Sequence, residues 1–574
     1  MIDRELFDLW RERAVEDNDL QLELAEVANN SSEITDRFYR NLDFGTGGLR
    51  GVIGAGTNRM NIYTVRRATQ GFAEYINSIS TSTKQPSVAI GYDSRINSEK
   101  FAKETAGVFA GNGIRAYIYE KLAPVPMISF AVRELGCSAG IMITASHNPS
   151  KYNGYKAYDP DGCQLGLDAS RELLKFIDKV DMFDGVKRVE FEDGLSSGMI
   201  SYIDDSVSDG YYKNVLSQSP NPGVCKNAGL RVIYTPLNGA GNIPVRGVLA
   251  KIGVDDVQIV TEQELPDGHF PTAPYPNPEI RESFVLALKY AENSAPDLLL
   301  ATDPDCDRVG IAVRDGSEYR LMTGNEVGVL LINYILSQRQ ANGTLPDNPV
   351  VIKTIVSTGL AAFVAKDYGC EIWDVLTGFK FIGEQIALLE QKGESERFIF
   401  GFEESYGYLA GDYVRDKDAV VASMLICEMA GYYKKQGKTL LHVMEELYTK
   451  YDVHLHTQTS FVCEGLQGMQ RMSEIMRKLR VCVPKTIAGL AVVGVSDYNK
   501  SLSVDLCTGE QTAINLPKSD VVAYCLNGGA SVIIRPSGTE PKIKLYINAR
   551  EQSHQTAKQL NDAIKADMTN FMGC

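Results

Sequence analysis

Apolar residues recur along the chain at two spacings, one typical of helices and one typical of buried strands. In the opening forty residues Leu6, Leu9, Trp10 and Ala14 fall at helical spacing with charged residues between them, which predicts helix. Short apolar runs bounded by turn residues predict strands further along the chain. The predicted strands are 86–92, 116–119, 139–143, 230–234, 297–300, 309–313, 350–352, 398–400, 531–534 and 542–546.

Helical runs alternate with these strands over most of the chain, at 98–112, 325–338 and 359–368. This alternation predicts three similar α/β units in series. From about residue 452 two helical runs, 465–480 and 555–572, flank strands, which predicts a smaller α+β domain. A chain of 574 residues is too long for one core. The predicted domains are 1–210, 211–322, 323–451 and 452–574.

Composition narrows the function classes. Hydrophobic residues at 44% and charged residues at 23% are ordinary for a globular protein. The net charge of −15 argues against a nucleic-acid or anionic-membrane partner. The N-terminus does not resemble a secretory signal, and no run of 18 apolar residues predicts a membrane helix. Eleven cysteines without CxxC pairs predict reduced thiols, so we expect a cytoplasmic protein.

The first candidate for chemistry is Ser146, in the segment Thr144–Pro149. This serine and His147 stand where the apolar run 139–143 stops. A serine at the end of a buried strand presents its hydroxyl at the rim of a sheet, where substrates of open α/β domains bind. The segment predicts a reactive serine, and an ordinary Asn-Pro turn is the alternative.

A second candidate is the acidic loop that contains Asp303, Asp305 and Asp307, between two predicted strands. Carboxylates at alternate positions repel one another, so a hard divalent cation is their expected partner, with Mg²⁺ favoured over Ca²⁺. An EF-hand is excluded because Arg308 and Arg314 stand where glycine and glutamate are required. A solvated acidic turn is the alternative.

Two further segments carry groups that suit a phosphorylated sugar. Arg535–Thr539 places an arginine, two hydroxyls and a glycine on one short turn, which is a candidate phosphate cradle or a plain hairpin. Gly401–Gly407 follows a predicted strand and offers two carboxylates and a hydroxyl. Carboxylates accept hydrogen bonds from vicinal diols, so this segment predicts sugar recognition, although Glu404 is equally compatible with a structural role.

These four segments, Thr144–Pro149, Asp303–Arg308, Gly401–Gly407 and Arg535–Pro541, resemble the signature segments of the α-D-phosphohexomutases, in family order. The resemblance runs from about residue 43 to 546. It implies an α/β fold of four domains, three similar α/β domains with mixed sheets and a smaller C-terminal α+β domain, with the active site in the central cleft. The chain also resembles the phosphoglucomutase-2-like subgroup in its length and in having Phe402.

The resemblance implies the roles of individual residues. Ser146 carries a phosphoryl group and, with Asp303, Asp305 and Asp307, holds one Mg²⁺. Glu403 and Ser405 hold ring hydroxyls, and Arg535, Ser537, Gly538 and Thr539 hold phosphate. Arg50 faces phosphate, and Arg308 orients the phosphoserine. His147 and Lys156 serve in proton transfer. Lys380, in the segment with Thr377 and Gly378, contacts the substrate.

The implied reaction is the interconversion of α-D-glucose 1-phosphate and glucose 6-phosphate, with glucose 1,6-bisphosphate as intermediate and activator. Phosphomannomutase, phosphopentomutase and sugar-bisphosphate synthase activities remain alternatives. The expected partner is a small phosphosugar, with no nucleic acid and no membrane. We expect a monomer or homodimer.

Rival functions fit the residues less well. A dinucleotide loop at 43–51 fails because Arg50 stands where the third glycine belongs. A phosphatase with several metals requires histidine ligands, and four of the six histidines lie outside every motif. A phosphosugar-binding protein without catalysis has no need of Ser146 or the three aspartates, and all of them are present.

Overall fold

The fold is described from a computed structural model that covers residues 2–45, 47–80, 84–463, 465–537 and 542–573. The chain divides into two compact units. The first consists of Met1–Thr323, Ile382–Gly401 and Ser405–Gly437, and the second of Gly324–Phe381, Phe402–Glu404 and Lys438–Cys574. No helix in the described ranges is both long enough and apolar enough to cross a membrane.

The helix predicted for the opening forty residues is present as three separate helices. Asp17 and Asn30 divide them, because each side chain accepts a hydrogen bond from a free backbone N–H group at the start of the next helix. The helices up to residue 217 are α1 (Ile2–Arg13), α2 (Asn18–Val27), α3 (Ser31–Phe38), α4 (Ile62–Ile79), α5 (Ser98–Gly111), α6 (Val125–Glu134), α7 (Leu167–Ile177), α8 (Phe191–Ser197) and α9 (Asp205–Ser217).

The first sheet has six strands, β1 (Gly48–Val52), β2 (Ser87–Tyr92), β3 (Arg115–Ile118), β4 (Ala139–Ile143), β5 (Tyr152–Tyr158) and β6 (Ile200–Tyr202). Their order is β1-β5-β4-β2-β3-β6. Strands β2, β3, β4 and β6 pair in parallel, whereas β5 runs antiparallel to β4 and to β1. Strands β2 and β4 are buried along their whole length. Because they are parallel neighbours, their carboxyl ends meet at one edge of the sheet.

The glycine-rich segment 43–51, where the sequence excludes a dinucleotide loop, ends in a strand. Residues 48 to 52 form strand β1, in which Arg50 lies opposite Gly154 of β5. A short polar segment with several glycines carries little strand signal by itself. Its pairing with β5 satisfies the backbone groups, and this pairing is decided by the tertiary structure.

The second sheet contains β7 (Arg231–Thr235), β8 (Asp256–Ile259), β9 (Leu298–Thr302), β10 (Val309–Asp315) and β11 (Glu318–Met322), in the order β11-β10-β9-β7-β8. Helices α10 (Asn242–Ile252) and α11 (Val285–Ser294) and the 3₁₀ turns Thr261–Gln263 and Arg281–Phe284 connect them. Strands β9 and β10 are antiparallel, with Thr302 opposite Val309. The acidic segment 303–308 is therefore the loop of a hairpin.

The region from 324 to 451 repeats the alternation of strand and helix. Strands β12 and β13 pair in parallel, with Val350 opposite Glu371. The elements are α12 (Gly324–Ala341), β12 (Val350–Thr354), α13 (Leu360–Lys366), β13 (Glu371–Val375), α14 (Phe379–Gln391), the 3₁₀ turn Ser395–Arg397, β14 (Phe398–Phe402), β15 (Tyr408–Ala410), α15 (Ala419–Lys434) and α16 (Leu440–Tyr451).

The C-terminal region is a sheet covered by two helices, α17 (Gly465–Val481) and α18 (His554–Met572). Its strands are β16 (Val453–Val462), β17 (Thr486–Ile487), β18 (Leu490–Asp497), β19 (Leu502–Asp505), β20 (Gln511–Ala513), β21 (Val522–Leu526), β22 (Ser531–Pro536) and β23 (Lys542–Glu551). The order is β16-β23-β22-β21-β18-β19-β20, with β17 beside β18. Buried residues such as Ile534, Leu545 and Ile564 form the core of this layer.

Arg535 was expected on the turn between the last two strands, and the structure corrects this. Arg535 and Pro536 are the last residues of β22, where they lie opposite Lys544 and Ile543 of β23. The apolar run that predicts the strand stops at Ile534, but backbone pairing continues for two residues. Residues Gly538 and Thr539 lie outside the described residues.

Candidate active site

Ser146 follows strand β4 in a backbone conformation that few side chains adopt. Its φ of 53° is in the left-handed region, and only 3% of the residue is exposed. The Ser146 N–H donates to Thr144 Oγ1 at 2.8 Å, and the Thr144 hydroxyl donates to Asp93 Oδ2 at 2.6 Å. Such strained residues persist only where their surroundings hold them, and they concentrate at functional sites.

The Arg95 side chain holds the loop around Ser146 by donating to backbone carbonyls of that loop. The guanidinium donates to the Ser146 carbonyl at 2.5 Å, to the Pro149 and Tyr152 carbonyls at 3.0 Å each, and to the Asn148 carbonyl. The Arg95 and Asp93 side chains are both fully buried and form an ion pair at 3.4 Å. The conformation of the serine loop therefore depends on one guanidinium.

The structure brings the Ser146 hydroxyl against the acidic loop. Ser146 Oγ donates to Asp303 Oδ2 at 2.9 Å, although 157 residues separate them in the chain. His147 Nδ1 lies 3.1 Å from the same Oγ atom. Asp303 Oδ1 accepts the backbone N–H groups of Asp307 and Arg308, which fixes the carboxylate in place.

The three carboxylates of the hairpin loop converge. Oxygen atoms of Asp303, Asp305 and Asp307 lie within 4.8 Å of one another, and all three residues are buried. Lys156 Nζ contacts Asp305 Oδ2 at 2.8 Å and Asp307 Oδ2 at 3.0 Å. Lys417 Nζ lies 3.2 Å from Asp307 Oδ2. Two lysines therefore balance part of the negative charge.

The charge and the hydrogen bonding of this cluster fit a divalent cation. Asp305 Oδ1 and Asp307 Oδ1 are buried and have no hydrogen-bond partner within the described ranges. Burial, and then the charges of Asp305 and Asp307, raise the pKa of Asp303 well above its ordinary value. Buried carboxylate oxygens without partners are the ligands that hard cations prefer, so the residues present suit a metal ion.

The opposite charges of lysines and carboxylates shift the pKa values of Lys156 and Asp307. Burial opposes the charge of Lys156, but the carboxylates of Asp305 and Asp307 outweigh it and raise the pKa of Lys156. Burial likewise opposes ionisation of Asp307, yet Lys156, Lys417 and Arg308 together lower the pKa of Asp307. Lys156 and Asp307 are thus both charged in the site.

His147 is half-buried beside the serine. Burial, and then the positive charges of Arg308 and Arg50, lower the pKa of His147 well below its ordinary value of 6.5. The imidazole is therefore neutral at pH 7 and able to accept a proton. Arg308 also pairs with Glu279 and lies 3.8 Å from Asp307 Oδ1. Arg50 is an exposed residue of β1.

The predicted sugar segment 401–407 falls on both units, and each part is held differently. In the second unit, Glu403 is 7% exposed and accepts the Gly378 N–H at 3.0 Å, which brings the Glu403 carboxylate to the segment 377–380. Lys380 is buried there, with its Nζ 5.2 Å from the centre of the Phe381 ring. Thr377 directly precedes this glycine. In the first unit, the half-buried Ser405 precedes Tyr406, whose carbonyl accepts the Val309 N–H at 3.1 Å.

The described part of the predicted phosphate segment lies at the end of β22. Arg535 is half-buried, and its side chain reaches the hydroxyl of Tyr546. The Ser537 N–H donates to the Lys542 carbonyl at 2.8 Å. Both side-chain positions belong to the same strand end.

Arg95, Asp93 and Lys417 are parts of the site that the sequence argument missed. Asp93 and Arg95 follow β2, the strand beside β4, at the same edge as Ser146. The rule that polar residues after neighbouring parallel strands converge was therefore sufficient to find them. Lys417 gave no such signal, because it lies seven residues beyond β15 and more than a hundred residues from its partner Asp307.

Four family models match the chain in sequence order. They are phosphoglucomutase/phosphomannomutase alpha/beta/alpha domains I, II and III, at residues 41–183, 209–316 and 323–451, and the C-terminal domain, at residues 485–566. The chain belongs to the phosphoglucomutase/phosphomannomutase family. The expected four-domain architecture and the expectation of a mutase enzyme are thereby confirmed.

Relatives agree with the membership of this family, and solved structures share the fold. The phosphoglucomutase of Staphylococcus aureus (strain bovine RF122 / ET3-1) is 37% identical over 547 residues, which cover 95% of each chain. That of Staphylococcus epidermidis is 37% identical and covers 93% of this chain and 95% of its own. The open form of parafusin, a phosphoglucomutase from Paramecium, shares the fold with a TM-score of 0.71 at 17% identity, covering 93% of this chain and 96% of its own. A phosphoglucomutase/phosphomannomutase family protein from Burkholderia thailandensis has a TM-score of 0.66 at 17% identity, covering 92% of this chain and 97% of its own.

Proposed function

We propose that the chain interconverts α-D-glucose 1-phosphate and glucose 6-phosphate through a phosphoserine at residue 146 and glucose 1,6-bisphosphate. The observation that carries this proposal is the hydrogen bond from Ser146 Oγ to Asp303 Oδ2. It joins a serine in a strained conformation to the cluster of Asp303, Asp305 and Asp307, which is suited to bind a cation. The full-length similarity to phosphoglucomutases supports glucose as the sugar.

In this proposal the serine oxygen carries the phosphoryl group that is transferred. Asp303, Asp305, Asp307 and the phosphorylated Ser146 would hold one Mg²⁺. When bound, such an ion neutralises charge on the phosphoryl group. Arg95 keeps the serine loop in one conformation, and Lys156 keeps the acidic loop from repelling the incoming phosphate. Arg308, beside Asp307, orients the phosphoserine.

Proton transfer is assigned to His147, with Lys156 as a second group. His147 Nδ1 lies within hydrogen-bonding distance of Ser146 Oγ and is neutral at pH 7. It can therefore take the proton of a hydroxyl group as the new phosphate ester forms and return it in the reverse direction. Lys156 is protonated beside two carboxylates, so in this proposal it acts as the acid of the proton transfer.

The remaining residues are proposed as substrate contacts. Glu403 and Ser405 would hold ring hydroxyls, and Arg535, Ser537, Gly538 and Thr539 would hold the phosphate that does not react. Arg50 faces phosphate, and Lys380 with Thr377 and Gly378 forms a further contact. A sugar bisphosphate has a phosphate at each end, so the same phosphate contacts serve both of its orientations. This reuse is what a mutase requires.

We further propose the domain boundaries 1–210, 211–322, 323–451 and 452–574, which the matched family ranges support. The proposed partner is a small phosphosugar, without nucleic acid or membrane, and the proposed state is a monomer or homodimer. The ten described cysteines are all free, which supports a cytoplasmic location.

A coupled assay tests the function directly. Glucose 1-phosphate, with Mg²⁺ and a trace of glucose 1,6-bisphosphate, is expected to turn over faster than mannose 1-phosphate or ribose 1-phosphate. If ribose 1-phosphate is fastest, the chain is a phosphopentomutase. If mannose 1-phosphate is fastest, it is a phosphomannomutase. If bisphosphate accumulates without isomerisation, it is a sugar-bisphosphate synthase.

Ser146→Ala tests the phosphoserine. This variant is expected to lose all turnover and, in intact mass measurements, the phosphoryl group that glucose 1,6-bisphosphate adds to the wild type. Ser217→Ala is the matched control, because Ser217 is an exposed residue of α9. Turnover by Ser146→Ala at the wild-type rate contradicts the mechanism.

A further inference from the structure

A cavity of about 240 Å³ lies within the second unit. One wall is the face of the C-terminal sheet formed by β16, β22 and β23, and the other is the segment 353–363, which includes the start of α13. The volume is below the range of about 300–1,000 Å³ that is typical of pockets for drug-sized ligands. The size favours a small ion or fragment over a whole nucleotide.

A buried histidine, His454, faces this cavity. His454 is 5% exposed, and neither of its ring nitrogens makes a hydrogen bond within the described part of the chain. Oδ1 of the neighbouring Asn548, which also lines the cavity, is likewise buried and unpaired among the described residues. Buried polar atoms are nearly always paired, so this pair of side chains indicates a ligand or ordered water.

The positive charge of the residues that line the cavity favours an anion as the ligand. Lys353 and Arg550 line the cavity with His454 and His456, and no carboxylate lines it among the described residues. The partners of the two cations, Asp374 for Lys353 and Asp452 for Arg550, do not contribute to the lining. Two cations and two imidazoles around one small space are groups of the kind that bind oxyanions.

We propose that this cavity binds a small phosphate-bearing anion at a site separate from the Arg535 end of β22. His454, Asn548 and Arg550 are the residues that would contact it. They belong to β16 and β23, whereas the proposed phosphate contacts of the active site lie at the end of β22 and beyond. The site does not depend on the proposed function.

Hydrogen bonds connect the cavity with the predicted sugar segment 401–407 through Glu404. Ser357 lines the cavity, and its Oγ lies 2.8 Å from Thr354 Oγ1, which donates to Glu404 Oε2 at 3.0 Å. Tyr546 also lines it and reaches the Arg535 side chain. An anion in the cavity is therefore expected to change the KM of the sugar phosphate, and this second part rests on the proposed function.

Histidine NMR on the full chain tests the site. The chain has six histidines, so ¹³C labelling of the imidazole carbons gives few signals, and His454→Gln and His456→Gln assign two of them. Inorganic phosphate is expected to shift the His454 and His456 signals saturably, and to leave the exposed His442 signal in place. Phosphate bound beside them also raises the pKa of both imidazoles, since it favours the charged form.

Variants separate this site from the active site. Asn548→Leu and Arg550→Met are expected to weaken phosphate binding at least about tenfold, as removal of a charge-assisted contact does. Asn548→Asp is expected to weaken it more, by repulsion. Arg535→Ala, which removes a proposed active-site contact, and Asn499→Leu, at an exposed asparagine, are expected to bind phosphate with the wild-type affinity, as read from the His454 signal. Glucose 6-phosphate, titrated into Arg535→Ala, shows whether a phosphate monoester or the free ion binds more tightly.

Two results overturn the proposal. The first is the absence of a saturable shift of His454 and His456 in the wild type, which leaves a water-filled cavity. The second is a shift that persists with the same affinity in Asn548→Leu, Asn548→Asp and Arg550→Met, each checked for folding by thermal melting. If those variants do not fold, the wild-type titration decides the question by itself.

Discussion

Replacement of Arg95 tests whether the serine loop is positioned by one guanidinium. Arg95 serves four backbone carbonyls and pairs with a fully buried carboxylate. In Arg95→Met, each carbonyl left unpaired costs about 1–3 kcal/mol, and the isolated Asp93 charge costs about 3–5 kcal/mol. The sum is comparable with the whole stability of a domain, about 5–15 kcal/mol, so this variant is expected to open or unfold the loop region.

Arg95→Lys is the informative variant because it retains the positive charge beside Asp93. An ammonium group has only three donors and lacks the planar fork, so at least one of the four carbonyls is left unpaired, at about 1–3 kcal/mol. We expect a folded protein with a lower melting temperature. A displacement of the serine by about 1 Å is expected to lower kcat about 100-fold, with little change in KM.

The assay measures kcat and KM for glucose 1-phosphate together with thermal melting. Arg67→Lys is the matched control, because Arg67 is also a buried arginine of the first unit but donates to the Val180 carbonyl rather than to the serine loop. It is expected to lose stability and to retain kcat. If Arg95→Lys retains the wild-type kcat while its melting temperature falls as in Arg67→Lys, Arg95 has only a structural role and the positioning argument is refuted.

Three further predictions follow from the same geometry. Mg²⁺ at about 100 times its dissociation constant is expected to raise the free energy of unfolding of the metal-free protein by about 2.7 kcal/mol, and Asp305→Asn is expected to abolish this gain in thermal melts; equal gains in both proteins contradict the metal assignment. Glu403→Gln is expected to raise the KM for glucose 1-phosphate about tenfold, whereas the exposed Glu396→Gln leaves it unchanged; an unchanged KM in Glu403→Gln removes this residue from the sugar contacts. Burial lowers the pKa of both His454 and His456 from 6.5 to about 4, so folding favours their neutral forms. Their contribution to stability is full above pH 6.5 and is lost as the pH falls towards 4, by about 3 kcal/mol each; denaturant unfolding at these two pH values measures it, and a His454→Gln variant with the same pH dependence as the wild type contradicts it.

Much of the local structure was predictable because burial on both faces makes a strand apolar along its length. The runs 139–143 and 309–313 illustrate this, since both are completely buried strands, β4 and the first part of β10. The ends of elements were less predictable. Residues 48–52 and 535–536 became strand through pairing with β5 and β23, and a partner strand is not visible in the local pattern.

The candidate site divides in the same way. Ser146 and the three aspartates stand at the ends of apolar runs. A reactive serine and a cation site could therefore be predicted from the residue types and their positions. Arg95 was not singled out. Its position after β2 pointed to the same sheet edge as Ser146, but its residue type did not show that it binds backbone carbonyls. Only the folded loop shows that its five donors face four carbonyls and a buried carboxylate.

The sequence by itself determined the order of strands and helices, the residue types of the site and the family resemblance, because these depend on local periodicity and on short contiguous motifs. The tertiary structure alone decided that Ser146 Oγ meets Asp303 across 157 residues, that Lys156 and Lys417 balance part of the charge of the acidic loop, and that His454 and Asn548 line one cavity. These contacts join distant segments, and their existence depends on how sheets and loops pack rather than on any pattern within one segment.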